Sequence, residues 1–238
     1  MSIQSLREKI FYGIDAFLDI IYPTICISCE RKTNSIEELF CLNCQYELQV
    51  SDMYQFTQNA FTEKFKGRIE LNVGAAMYPY VKGGVIQKVL EALKYKNRPD
   101  IGHRLGKHFG KILSQEDMLV DLDLIIPVPL HYKKKVLRGY NQSMVFGVGL
   151  AEHLHTTCRE DVLQKTTWTD SQVEKNRMDR MQNMDGAFKL KDAATLKGKH
   201  ILLVDDILTT GATLESCALT LLKAGGVRIS MLTIAMGS

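Results

Sequence analysis

The chain has 238 residues, 45% hydrophobic and 24% charged, with a net charge of +3 and a mean hydropathy of −0.09. That composition excludes disorder as the main state and allows one domain with an appendage or two small domains. No apolar run approaches the ~18 residues of a membrane span, and Arg7, Glu8 and Lys9, followed by Asp15 and Asp19, do not form an export signal, so a cytoplasmic location is expected.

Charge is unevenly placed. Residues 1–70 carry 7 Lys/Arg against 10 Asp/Glu, and residues 71–238 carry 23 against 17. Lys82 to Lys111 holds eight basic side chains with only Glu91 and Asp100 against them. A surface of this kind attracts phosphates; a solvated helix face is the plainer reading.

In chain order, Ile10 to Tyr22 has apolar residues at helical spacing and ends at Pro23. Four of the six cysteines follow, as Cys26-Ile-Ser-Cys29 and Cys41-Leu-Asn-Cys44. Without an export signal, disulfides are disfavoured. A redox CxxC comes singly, beside a thioredoxin-like pattern, whereas two such pairs across a short loop suit tetrahedral zinc. Four thiolates leave no open position for water, so the expected Zn is structural. Cys158 and Cys217 read as ordinary buried thiols. Residues 1–50 are therefore expected to form a helix and four-cysteine zinc module. Residues 51–70, polar and without periodicity, read as a linker. Residues 71–238 read as the main domain.

There, strands are expected at Gly74–Val81, Leu124–Val128, Val162–Thr166, His200–Val204 and Val227–Ile234. Helices are expected at Ile86–Tyr95, Ile101–Leu113, Asn141–His155, Ser171–Met184 and Thr213–Ala224, the last stopped by Gly225-Gly226. Apolar strands alternating with helices predict an α/β fold with a mostly parallel sheet covered on both faces.

The densest chemistry lies at Ile201-Leu-Leu-Val-Asp-Asp-Ile-Leu-Thr-Thr-Gly-Ala-Thr213. A buried strand carries Asp205 and Asp206 to its carboxyl end, where open α/β sheets bind ligands. Thr209, Thr210, Gly211, Ala212 and Thr213 then open a helix whose N–H groups form an anion site. A phosphate fits the loop. The two acids must face hydrogen-bond donors or positive charge, such as sugar hydroxyls or a metal ion. Phosphate and diol one loop apart suggest a ribose 5-phosphate; a capped strand-to-helix turn is the purely structural alternative.

A second block follows Pro127-Val-Pro: His131, Lys133, Lys134 and Lys135, then Arg138-Gly139-Tyr140-Asn141-Gln142. Arg138 can grip phosphate oxygens bidentately and the lysines act as point charges, while Asn141 can cap the next helix. Arg177, with Lys175 and Arg180, adds a further cationic group.

The Asp205–Thr213 stretch resembles the phosphoribosyl pyrophosphate signature of the type I phosphoribosyltransferases. With the two cysteine pairs, Leu93-Lys94-Tyr95, Pro127-Val-Pro129 and Arg138-Gly139-Tyr140-Asn141-Gln142, the order is similar to the ComF family of competence-associated proteins, and the likeness covers nearly the whole chain. Family members often have Phe at the place of Tyr140, a change that keeps the ring. The resemblance implies a Rossmann-like core, Asp205 and Asp206 on the ribose hydroxyls, residues 209–213 on the 5-phosphate, and Lys135, residues 138–142 and Arg177 toward the pyrophosphate or a flexible loop. It also implies Mg²⁺ with phosphoribosyl pyrophosphate, transfer of phosphoribosyl to an unspecified acceptor, and a role in DNA uptake beside a helicase-like ATPase that the zinc module could dock. Two other functions compete. One is a non-catalytic adaptor for single-stranded DNA, with Lys88, Lys94, Lys96, Arg98, Arg104, Lys107 and Lys111 tracking phosphates and Tyr80 or Tyr95 stacking on bases. The other is a nucleotide-sensing regulator.

Overall fold

Apolar runs without polar alternation are stable only where both faces of the sheet are covered. The computed structural model, which describes residues 24–33, 39–48, 50–166 and 187–237, shows how this chain covers them. Its strands are β1 (Gly74–Pro79), β2 (Leu124–Pro127), β3 (Thr157–Cys158), β4 (Leu163–Lys165), β5 (Phe188–Leu190), β6 (His200–Leu208) and β7 (Arg228–Met236). Its α-helices are α1 (Leu42–Glu47), α2 (Ala60–Glu63), α3 (Val85–Tyr95), α4 (Pro99–Leu113), α5 (Tyr132–Arg138), α6 (Gln142–Leu154) and α7 (Ala212–Leu222). The chain divides into two compact units, residues 1–48 and 49–238.

In the larger unit, five strands form one parallel sheet in the order β1-β7-β6-β2-β3. The expected α/β architecture with a mostly parallel sheet is therefore present. From β2 the chain moves outward to β3; from β6 it moves the other way, to β7. The crossovers diverge between β2 and β6, which are paired through Pro127↔Val204. At such a switch point the loops leaving two adjacent strands part and open a crevice at their carboxyl ends. That topology brings the two chemically dense blocks of sequence together.

Helix α6 covers one face. A Cβ on Gly147 would meet Val204 and Ile125 side chains at 3.2 and 3.3 Å. Behind α6 lies α4, at a separation only glycine permits: a Cβ on Gly106 would come within 2.2 Å of the Phe146 carbonyl oxygen, and one on Gly149 within 2.2 Å of that of His103. Helix α7 covers the other face. There Leu214, Cys217, Ala218 and Leu221 join Ile201, Leu203, Ile229 and Met231 in one buried cluster. Fully burying each such aliphatic side chain contributes about 1.5–3 kcal/mol.

Three expectations need correction. The strand near Val162–Thr166 exists, but β4 pairs antiparallel with β5 in a separate ribbon, through Lys165↔Phe188. Residues 132–138, where no helix is expected, form α5, capped by His131 and ended by Gly139 at φ 79°. Residues 51–70 are not a linker. Phe61 and Phe65 are fully buried in the core of the larger unit, and Asn59 donates to the Gly74 carbonyl at 2.8 Å while capping α2. Their polar composition conceals two aromatic anchors at helical spacing. The helices expected at Ile10–Tyr22 and Ser171–Met184, and Arg177 with them, lie outside the described residues.

In the smaller unit, Ile25 and Lys32 form an antiparallel bridge around a tight turn, with Glu30 at φ 62°. Cys41 begins α1. Among the described residues, no helix is long and apolar enough to cross a membrane.

Candidate functional site

Strand β6 runs to Leu208, so Asp205 and Asp206 lie inside its last turnout rather than beyond it. Successive strand residues face opposite ways, and the two carboxylates acquire different partners. Asp205 accepts from the Ser143 hydroxyl at 2.8 Å and from the Asp206 backbone N–H at 2.9 Å. Asp206 is buried and pairs with Lys94 Nζ at 3.0 Å. Burial and then the neighbouring Asp206 charge push Asp205 up to about 7.

After β6 the chain turns at Thr209 and Thr210 and enters α7 through Gly211, at φ 81°. This left-handed geometry favours glycine, and a Cβ there would also press on the Phe65 ring at 3.1 Å. The Thr210 hydroxyl lies 3.5 Å from the Ala212 N–H. Asp205, Thr209, Thr210, Gly211, Ala212 and Thr213 line a pocket of about 40 Å³, more than the roughly 10–15 Å³ that one water needs. The free N–H groups at the start of α7 make this wall attractive to an anion.

The second block leaves β2 on the neighbouring strand. Asn141 is buried, caps α6 through the Ser143 N–H at 3.1 Å and donates to the Val128 carbonyl at 3.1 Å. Ser143 thus sits in the first turn, two residues past the cap, and reaches Asp205. Lys135 is engaged by both oxygens of Glu160 at 2.9 Å, and the Asn141 amide lies 3.5 Å from Glu160. Arg138 donates to Gln142 at 2.8 Å and stands 5.8 Å over the Tyr95 ring, while the Tyr140 hydroxyl donates to the Leu93 carbonyl. Residues 138–142 therefore clasp the last turn of α3, the turn that carries Lys94. His131 is buried; desolvation and then nearby lysines hold its pKa below the ordinary value. The two blocks meet through the Ser143–Asp205 hydrogen bond and through the α3 turn that Tyr140 clasps and Asp206 pairs with, whereas Lys135 and residues 138–142 do not line the pocket over residues 209–213.

Several residues of this crevice were not singled out for it in the sequence. Lys94 belongs to the basic strip suited to nucleic acid and to the Leu93-Lys94-Tyr95 motif, and its ammonium is committed to Asp206. Arg98 and Lys107, from the same strip, pair with Asp100 at 2.8 Å and with Glu152 at 3.1 Å. Ser143 and Glu160 come from positions without a motif. Lys165 stands at the end of β4, 5.5 Å over the Phe188 ring; burial first, then Lys134, lowers its pKa, and Asp205 opposes that shift. The signal for Lys94 was its isolation in an otherwise apolar helical turn beside Leu93.

In the smaller unit the Sγ atoms of Cys26, Cys29, Cys41 and Cys44 all lie within 4.8 Å of one another, with Cys29 and Cys41 at 3.5 Å. Tetrahedral zinc with Zn–S near 2.3 Å sets sulfurs about 3.8 Å apart, so the four thiols fit such an ion. Burial opposes ionisation of Cys26, but the surrounding backbone N–H groups of Cys29, Cys41 and Ser28 outweigh it and bring the thiol to about 7. Burial and the facing thiols hold Cys44 well above the usual range. The cluster can hold a metal ion.

Comparison with known proteins agrees with this geometry. The "Phosphoribosyl transferase domain" family matches residues 141–236, from the Asn141 cap to the end of β7. Competence protein F of Haemophilus influenzae is 26% identical over 212 residues, covering 87% of this chain and 88% of that one. Competence protein ComFC of Bacillus subtilis is 24% identical over 202 residues, covering 84% and 79%. The chain is thus similar to two competence proteins over most of its length and carries a phosphoribosyl transferase domain match in its C-terminal part. A further relative, DNA utilization protein YhgH of Escherichia coli O157:H7, is 32% identical over 146 residues, 60% of this chain and 63% of its own length. The likenesses to the two competence proteins run well beyond the transferase domain.

Proposed function

We propose that the crevice between β2 and β6 binds phosphoribosyl pyrophosphate, or a related ribose 5-phosphate, and that the protein transfers the phosphoribosyl group during DNA uptake or processing. The observation that carries this reading is the joining, at one switch point, of a pocket over residues 209–213 with the Asp205 carboxylate in its lining and Asp206 next to it on the same strand. Backbone amides and threonine hydroxyls receive the 5-phosphate. Asp205 and Asp206 accept from the ribose hydroxyls. Lys135 and Arg138 face the pyrophosphate, and Mg²⁺ accompanies that group as part of the substrate.

In the transfer, the bond between ribose C1 and a pyrophosphate oxygen breaks, and the electron pair leaves with pyrophosphate. Positive charge develops on the sugar, where the two carboxylates stabilise it. The acceptor supplies the new bond to C1. The name of one relative, DNA utilization protein YhgH, directs the search for that acceptor toward DNA.

The four cysteines hold zinc in this proposal, as a closed structural site. The small unit is a docking module for a helicase-like ATPase, and the protein works in the cytoplasm. A second reading, a single-stranded DNA adaptor, is favoured by Tyr95 and Tyr132, 74% and 65% exposed near basic residues; base–aromatic stacking contributes about 1–3 kcal/mol per base.

The deciding experiment is calorimetric titration of phosphoribosyl pyrophosphate with Mg²⁺ into the wild type and Asp206→Asn. Binding by the wild type, weakened at least about tenfold in the variant, supports the ribose-phosphate reading. Absence of binding by the folded wild type rejects it and leaves the adaptor, whose single-strand affinity must then fall steeply with salt.

A further inference from the structure

The turn that follows α2, residues 64–68, touches the phosphate loop at two places and the first turn of α7 at a third. The Phe65 ring lies beneath Gly211. Lys64 Nζ donates to the Thr209 carbonyl at 3.2 Å. Arg68 Nη1 donates to Glu215 Oε2 at 2.6 Å, while its Nη2 donates to the Lys64 carbonyl.

Glu215 is the feature that needs explaining. It stands in the first turn of α7, with its N–H bonded to the Gly211 carbonyl at 2.8 Å, and its side chain is 10% exposed. A carboxylate here draws on the same positive helix end that must attract a phosphate. Buried without a counter-charge, it would be strongly disfavoured and would repel an incoming anion.

We infer that Arg68 is a positioning residue of the phosphate pocket: its guanidinium neutralises Glu215 and fixes the first turn of α7, so that the free N–H groups of residues 209–213 face an anion and not a competing carboxylate. The inference rests on the phosphate-pocket reading above. It assigns a role to a segment that precedes the matched transferase domain, and it makes Glu215 a liability that Arg68 cancels.

The test uses the full chain and two probes, phosphoribosyl pyrophosphate with Mg²⁺ and inorganic phosphate, titrated into wild type, Arg68→Ala, Arg68→Lys, Glu215→Gln and Arg68→Ala/Glu215→Gln. Arg68→Ala should weaken binding at least about tenfold. Glu215→Gln and Arg68→Lys should stay within about threefold of wild type, and the double variant should recover to that range. A purely structural role would lower the unfolding midpoint of Arg68→Ala and leave the affinity of its folded fraction at the wild-type value. Wild-type binding with Arg68→Ala unchanged, or a folded double variant as weak as Arg68→Ala, overturns the inference alone. If Arg68→Ala does not fold, the double variant decides, because it buries no unpaired charge: affinity more than about threefold below Glu215→Gln overturns it. A wild type that binds neither probe overturns the pocket reading and the inference together.

Discussion

Asp205 and Asp206 are adjacent in sequence, yet among the described residues only Asp206 makes a direct ion pair. Lys94 holds Asp206, whereas Asp205 has a hydroxyl and a backbone N–H. Burial and the Asp206 charge raise Asp205 to about 7, so the folded state binds its proton more tightly than the unfolded chain does. The stability that this proton confers is complete below the unfolded value near 4 and is lost as pH rises through 7. Asp205→Asn is therefore expected to flatten the pH dependence of stability between about 4 and 8 and to exceed wild type at pH 8 by about 1–3 kcal/mol. Denaturant midpoints at several pH values check this, and parallel curves for the two proteins would refute it. At this scale the acids and the threonine loop were legible in one unbroken motif. Lys94, Ser143 and Glu160 were not, because each reaches the site through tertiary folding from a separate helix or strand end.

Between elements, the segment before β1 decides how the phosphate loop is supported. Its polar residues suggested a linker, since a window of Gln, Thr and Asn has no hydrophobic period. Two phenylalanines four apart were enough to anchor it, and Phe65 became the floor under Gly211. Phe65→Ala is expected to destabilise the larger unit by about 3–5 kcal/mol, read from urea unfolding, and to weaken phosphate binding through a loosened loop. A change below about 0.5 kcal/mol would restore the linker reading. The main strands and helices were legible because they are long, apolar and separated by glycine or proline. Helix α5 was not: none of its residues is buried, so it carries no hydrophobic period for the sequence to reveal. The β4–β5 ribbon was half legible, since strand character shows in composition while partner and direction depend on the whole fold.

Across the whole molecule, the chain joins a four-cysteine unit to a phosphoribosyltransferase-type domain. The cysteine spacing was readable because thiolate geometry constrains it tightly; the order of strands in the sheet was not, because parallel pairing is set by crossovers and not by local pattern. Purified protein is expected to carry about one zinc ion per chain by elemental analysis, falling to near zero in Cys26→Ser/Cys44→Ser, with new proteolytic cleavage confined to residues 24–48. Metal retained by that variant would place the ion elsewhere.

The central claim is that residues 209–213 receive the phosphate of a ribose phosphate. Amide hydrogen exchange, with and without saturating phosphoribosyl pyrophosphate and Mg²⁺, addresses it most directly. Slowed exchange concentrated at Thr209–Thr213 and at residues 138–142 is expected. Ligand binding that leaves the 209–213 amides unchanged would contradict it.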